Sequence, residues 1–303
     1  MGEIIKRATG LLILEVVNSN PNGDPDRESD PRQRSNRLGE ISPVSFKRKL
    51  RELVEDVHGV VFKAVSKDLS LDDSEFKILE SRDRVLIEIN KELSTDIKKF
   101  NQNDFLNSKF VKKYWDARLF GNTFLEKGGH KGYIKTGVAQ FVMGLSVASV
   151  NMVRHSNTKK AAVEEGKSSG MAPLAYRVVE HGVYCMPFYI NPSNAHKSGC
   201  TVKDIELLKV LIPYAYDHTR SAIRPDVRIR HAWYMEHKNA LGSCADYKLI
   251  EALTPIRKGD DNEIPISPNM TPSTSWSDYS VPTGLPNDLR DKLFSCVDLM
   301  ENI

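Results

Sequence analysis

The stretch Leu11 to Val17, LLILEVV, limits what this chain can fold into more than any other. It is apolar at nearly every position, rich in β-formers and free of polar alternation, which suits a strand covered on both faces at the centre of a sheet. Two further segments follow it directly, NSNPNGDPDRESDPRQRSNRLGE and SPVSFKRKLRELVEDV. The second reads as a helix. Ser42 can cap it, Pro43 sits where a missing N–H costs nothing, and Phe46, Leu50, Val54 and Val57 recur on one face. Lys47, Arg48 and Arg51 lie on an adjoining arc, so three cations and the free amides of the helix start point the same way and favour an anion. The plainer alternative is a solvated basic face, because charge runs usually serve only to solvate.

The segment between strand and helix runs for about two dozen residues without periodicity, a length that marks a functional or disordered loop. Asn22 to Pro25, NGDP, is strong turn chemistry. Arg27, Arg32, Arg34 and Arg37 then set planar guanidiniums beside Asn20 and Asn22, a mixture suited to phosphates, sugars and base edges. The order NPNGDPD, a basic loop, then KRKLR resembles the backbone subunit of Cascade, the multisubunit CRISPR surveillance complex, most closely its type I-C form or near relatives of that form.

Composition excludes some classes and chooses none. With 40% hydrophobic and 27% charged residues the 303-residue chain is an ordinary globular one, and 43 basic against 40 acidic residues leave a net charge of +3. Any electrostatic partner must therefore be met by local clusters. Cys185, Cys200, Cys244 and Cys296 have neither CxxC nor zinc spacing, so they read as reduced thiols of a cytoplasmic protein. LLILEVV is too short for a membrane span and is broken by Glu15, and no signal-like core precedes it.

Residues 59 to 135 read as an inserted, partly helical region in which VVFKAV and RVLIEI alternate like strands. Within it FVKKYWDARLF sets Phe110, Tyr114 and Trp115 among Lys112, Lys113 and Arg118, able either to stack and clamp nucleotides or simply to form a core helix. After the glycine-rich GGHKGYIKTG, which contains Lys135, comes a second strand pattern. A polar, basic insertion follows at 150 to 175, with too few apolar residues for its own core. It reads as an extended hairpin with Arg154, Lys159, Lys160 and Lys167 for phosphates and Met171 as an apolar wedge. Its AAVEEGKS fits a loose Walker pattern, but Glu164 and Glu165 would repel a phosphate and no buried strand precedes them.

YRVVEHGVYCMPFYI reads as a strand with a turn at His181-Gly182, and TVKDIELLKVLIPYAYDH as a helix capped by Thr201 and kinked by Pro213. DHTRSAIRPDVRIRHAWYMEH then concentrates Arg220, Arg224, Arg228 and Arg230 ahead of and along a strand with a basic outer face. His218 and His231 have no ligand spacing and read as packing residues. The Pro- and Ser-rich stretch from 254 reads as a surface wrap ending in a short helix with Leu289, Leu293, Val297 and Met300 inward.

The resemblance extends in order from Asn20 to Lys248, through DARLFG at Asp116 to Gly121, a Gly-x-x-Gln-Phe element at Gly137, Gln140 and Phe141, and DHTRSA. Val138 stands where the family usually has proline. What it implies is one α+β domain of the RAMP superfamily over 1–303: a modified ferredoxin-like or RNA-recognition-motif palm with a finger at 59–135, a protruding thumb hairpin at 150–175 and a C-terminal wrap at 254–303. Copies would line up on a guide crRNA, each thumb displacing about one nucleotide in six, leaving the rest to pair with target DNA beside other Cascade subunits. The RNA-binding set is then Asn20, Asn22, Arg34, Lys47, Arg48, Arg51, Arg118, Lys135, Gln140, Arg154, Lys159, Lys160, Met171, Arg220 and Arg224. No catalysis, metal, cofactor or membrane is expected. Two other readings stay open. One is a metal-dependent ribonuclease using Asp24, Asp26 or Asp30, whose EF-hand-like start fails at Ser29. The other is a scaffold subunit without RNA contact.

Overall fold

The computed structural model describes residues 4–81, 106, 108–122, 135–160, 171–259 and 270–302. Strand β1, Ala8–Ser19, is buried over most of its length and is hydrogen-bonded antiparallel on both sides. Leu12, Leu14 and Val16 enter one core, while Leu11 and Ile13 enter a second on the opposite face. This is why the run shows no polar alternation: both faces of the strand are covered. After β2, Leu38–Ile41, comes α1, Pro43–Glu55, with Pro43 in its first turn and the Ser42 side chain accepting from Ser45 N at 3.2 Å. Its Phe46, Leu50, Leu53 and Val54 pack into the first core.

Helix α2, Val60–Asp68, replaces the strand expected from VVFKAV. Val61, Phe62 and Val65 recur at helical spacing and reach the first core, so packing overrides the weak β-propensity of a short run. RVLIEI lies outside the described residues. Two short helices follow, α3 (Lys109–Lys113) and α4 (Trp115–Phe120), separated by an extended Tyr114. Strands β3 (Gly121–Asn122), β4 (Lys135–Thr136), β5 (Ala139–Phe141) and β6 (Gly144–Ser149) lead to the long hairpin of β7 (Met152–Lys160) and β8 (Met171–Ile190).

No turn occurs at His181-Gly182. β8 passes straight through, with Val17 opposite His181 and Val16 opposite Gly182, and the missing side chain at Gly182 makes room for Val150 and Tyr184 instead. Helix α5, Val202–Leu211, opens on a reciprocal capping box between Thr201 and Asp204 and passes into a 3₁₀ turn at Ile212–Tyr214, where Pro213 stands. Strand β9, Val227–His237, follows, and then α6, Asp246–Leu253, a helix the sequence reading did not anticipate.

With β12 (Leu293–Asp298) at one edge, the main sheet runs β12-β9-β1-β8-β6-β2, with β5 and β7 also paired to β8, and every pairing in it is antiparallel. The architecture is mixed α/β. Helices α1, α2, α4 and α5 contribute to one face; α6 and the C-terminal segment, including the small ladder of β10 (Ile256–Arg257) and β11 (Tyr279–Ser280), cover the other. The expected terminal helix is corrected in part: one helical turn stands at Asn287–Arg290 with Leu289 buried, and Leu293 and Met300 pack inward, but Leu293–Asp298 forms β12 on the edge of β9, satisfying backbone groups there, and leaves Val297 exposed. Among the described residues no helix is long and apolar enough to cross a membrane, and the four cysteines are free.

Candidate nucleic-acid interface

The loop from Asn20 to Glu40 is tied to the start of α1, to the base of the hairpin and to residues 223–224. Asn22 Oδ1 accepts from Ser42 N at 2.6 Å and so binds the loop to the start of α1. Gln33 Nε2 donates to Val150 O at 2.9 Å, and Val150 N to Arg37 O at 3.0 Å, fastening it to the base of the hairpin. Asn20 N donates to Ile223 O at 2.8 Å, while Arg224 Nε donates to Asn20 O at 2.9 Å. Inside the loop Asp24 N meets Asp30 O at 2.7 Å, and Glu28, Ser29 and Arg37 have positive φ. Such backbone persists in non-glycine residues only where its surroundings over-determine it.

Several expected RNA contacts are structural members of this assembly. Asn20 is buried, its Nδ2 donating to Ser29 O at 2.7 Å and its Oδ1 without a partner among the described residues. Asn22 uses both amide atoms within the protein. Arg224 is half-buried beneath the loop, and the exposed Arg220 meets Asp217 at 2.8 Å. Arg34 of the loop is paired with Glu40. Arg27 and Arg37, also in the loop, are exposed.

The cations of α1 separate into distinct roles. Arg51 is buried, with Nε 2.9 Å from Asp116 Oδ2, and the same carboxylate accepts from Leu79 N and Glu80 N at 2.7 and 3.1 Å. A buried carboxylate requires this many donors, so Arg51 is not a phosphate ligand. Arg48 reaches Glu52, Glu55 and the Glu80 carbonyl. Lys47 differs. Its Nζ lies 5.0 Å from the centre of the Phe120 ring, and among the described residues no carboxylate stands within ion-pair distance. Burial, then Arg51, hold its pKa down to about 8, against the upward pull of Glu80. The helix dipole and Lys47 thus leave this corner able to take an anion.

Arg118 is a further correction. It is buried, donating Nε to both Asp204 oxygens at 3.2 and 3.1 Å, Nη2 to Asp204 Oδ1 at 2.7 Å, and Nη1 to Val111 O at 2.8 Å. Phe110, Tyr114 and Trp115 are buried as well, so FVKKYWDARLF is a core element and not a nucleotide clamp. The Asp116 and Arg118 of DARLFG pin this segment to α1 and α5. Gly137 is required by close approach, since a Cβ there would lie 2.2 Å from Gly121 N. Gln140 Nε2 donates to Gly137 O at 3.2 Å and braces that turn. Lys135 is in β4 opposite Asn122.

On the hairpin, Arg154 is exposed and stands directly opposite Arg177. Lys159 and Lys160 end β7 opposite Ala172 and Met171; their side chains, and residues 161–170 with Lys167 and the Walker-like run, lie outside the described residues. Arg177 was missed by the sequence reading, although its place on the return strand opposite Arg154 was the available signal. Its Nη1 meets Asp30 Oδ2 at 2.6 Å. The basic face expected on β9 is compensated: Arg228 and Arg230 reach buried Glu15 at 3.3 and 2.8 Å, and Glu15 also meets His181 Nε2 at 3.3 Å. His231 is half-buried, 2.7 Å from Asp298 and stacked on Trp233, whereas His218 is exposed.

Among the described residues no group of three or more His, Cys, Asp or Glu side chains could hold a metal ion. A cleft of about 540 Å³ between α1 and residues 218–224 is lined by Lys49, Arg220 and Arg224, but equally by Glu52 and Asp56. Its charge is too mixed to define an anion site.

Comparison with known proteins places these segments in a family. No curated protein sequence matches the chain. Among solved structures it is similar to one described as "CRISPR RNA-guided surveillance complex, pre-nicking", at 13% identity and TM-score 0.44 over 86% of this chain and 81% of that one. A "CRISPR RNA-guided surveillance complex" matches at 12% identity and TM-score 0.44 over 89% and 78%. A type III-B Cmr-beta complex bound to cognate target RNA matches at 9% identity and TM-score 0.31 over 61% and 47%. The model of the family "CRISPR-associated protein Cas7" matches residues 6–284, the span from the start of β1 to just before β12 that contains the loop, α1, the hairpin and β9, and the chain therefore belongs to that family.

Proposed function

We propose that this chain is a backbone subunit of a guide-RNA surveillance complex, binding the sugar-phosphate chain of the guide through the loop 20–40, the start of α1 and the hairpin base. The observation that carries the reading is that this one loop is hydrogen-bonded to both other elements while Arg27, Arg37 and Arg154 stay exposed around it. Contacts of this kind hold a backbone without reading sequence, so base pairing with target DNA supplies specificity.

In this reading the chain is a single RAMP-type domain, with 59–135 as finger, 150–175 as thumb and 254–303 as wrap. The strand order β9-β1-β8-β6, with α1 after β1 and α5 between β8 and β9, is the β-α-β-β-α-β arrangement of ferredoxin-like folds and supports the palm. The antiparallel β7–β8 hairpin supports the thumb. The subunit holds RNA without cutting it: Asp30 is engaged by Arg177, and Asp24 Oδ1 accepts from Asp26 N. Co-expression with a guide RNA, followed by measurement of co-purified nucleic acid and particle size, tests the proposal. RNA-bound multimers are expected. A nucleic-acid-free monomer under those conditions overturns it.

A further inference from the structure

Asp30 occupies a place that a phosphate of the guide would contest. Its Oδ2 lies 2.6 Å from Arg177 Nη1, an ion pair that spans from the loop to the return strand of the hairpin. Arg177 stands directly opposite Arg154, so two exposed guanidiniums share one face of the β7–β8 ladder. Among the described residues only the carboxylate of Asp30 meets either of them; Glu180, at the same base, accepts from Asn151 Nδ2 at 2.9 Å instead. The pair is not a chance meeting of two long side chains. Asp30 N donates to Arg27 O at 2.8 Å and its carbonyl accepts from Asp24 N at 2.7 Å, while Glu28 and Ser29, both at positive φ, turn the chain into it. A short side chain on a backbone fixed at both groups has few ways to point. Arg177 is the long, exposed partner, able to swing to another anion.

We infer that Asp30 is an electrostatic guard on the hairpin base: its carboxylate holds Arg177 in the RNA-free protein and gives way to a backbone phosphate that Arg154 and Arg177 take together. This deepens the RNA-binding reading proposed above and rests on it for the identity of the anion. An isolated anion must displace Asp30 to gain the second guanidinium. A strand already lying along the loop presents its next phosphate at high effective concentration, and the displacement then follows readily. The guard therefore favours strands that engage the neighbouring loop over free phosphates. Because an exposed ion pair is weak, it sets selectivity without blocking the strand.

The test compares full-length parent, Asp30→Asn, Arg177→Gln and the double variant, using fluorescence anisotropy with a labelled, mixed-sequence single-stranded RNA at several salt concentrations. Asp30→Asn should bind about three- to fivefold more tightly than the parent, the scale of one exposed ion pair. Its slope of log K against log salt should steepen by up to roughly 0.7, the share of one added phosphate contact. In the Arg177→Gln background the same substitution should change affinity by less than about twofold. Equal or weaker binding by Asp30→Asn overturns the guard and makes Asp30 a brace of the loop. An equal gain with and without Arg177 overturns it too, since that is the signature of a general loss of negative charge. In either case RNA binding by the parent leaves the RNA reading standing. Should neither parent nor variant bind RNA, that reading fails, and inorganic tripolyphosphate decides the guard. It should then raise the melting temperature of Asp30→Asn more than that of the parent or the double variant, and equal shifts in all three would overturn the guard as well.

Discussion

Arg51 of α1 and Asp116 of α4 meet at 2.9 Å, both buried, whereas Lys47, one turn earlier on α1, has no such partner among the described residues. Two basic residues one turn apart therefore differ in what removal should do, one holding a buried ion pair and the other leaving none broken.

Arg51→Ala should destabilise the protein by about 3 kcal/mol, because it leaves the Asp116 charge buried with only its backbone donors. Lys47→Ala should cost clearly less, because it trims a stem packed beside Phe120 but leaves no carboxylate buried without its partner. Urea denaturation of both variants checks this, and equal losses would refute the division of roles.

RNA affinity should fall as pH rises from 7 to 9. Lys47 is charged below its pKa of about 8 and neutral above it, so the attraction to phosphate is present at pH 7 and lost through that value. Over the same range the slope of log K against log salt should shrink by up to roughly 0.7, one phosphate's share on a single strand. Lys47→Arg should bind with no pH dependence across this window, as a filter-binding series in two salts would show.

Arg154 and Arg177 are directly opposite in the hairpin, an arrangement that repels, and among the described residues Asp30 offsets one of the two charges, that of Arg177. Arg154→Ala should leave the melting temperature unchanged or slightly raised while weakening guide binding several-fold. Reduced stability together with unchanged binding would place the RNA elsewhere.

Asp24→Ala and Asp26→Ala should keep target binding within a few fold of the parent, since these residues shape a turn. Neither the parent nor either variant should cut RNA in magnesium. Divalent-dependent cleavage that disappears in Asp26→Ala, read on a denaturing gel, would make this chain a nuclease.

His237 should make the fold acid-sensitive. Its Nδ1 accepts from Ser243 N at 3.0 Å, so the neutral ring is the one built in, and desolvation lowers its pKa against the upward pull of Asp246. Above pH 6.5 neither folded nor unfolded chain protonates it. As pH falls below that value the unfolded chain binds a proton that the folded one resists, and stability is lost down to the folded pKa. The melting temperature of the parent should drop more between pH 7 and 5.5 than that of His237→Gln.

Local patterns carried the elements whose chemistry is local. The unbroken LLILEVV placed a two-faced central strand, Ser42 and Pro43 placed the start of α1, and Thr201 placed that of α5, because burial pattern and capping depend on residues close in sequence. The order of motifs from NPNGDPD through DHTRSA was enough to indicate the family. The chain alone did not show which charged residues were free. Arg51 and Arg118 look on paper like Lys47 and Arg154, yet their fate depended on Asp116 and Asp204, carboxylates 65 and 86 residues away. Glu15 likewise drew in the two arginines that had read as an outer basic face on β9. A buried charge must find its counter-ion wherever the chain brings one, and that choice, like the addition of β12 to the sheet edge, exists only once distant segments have packed.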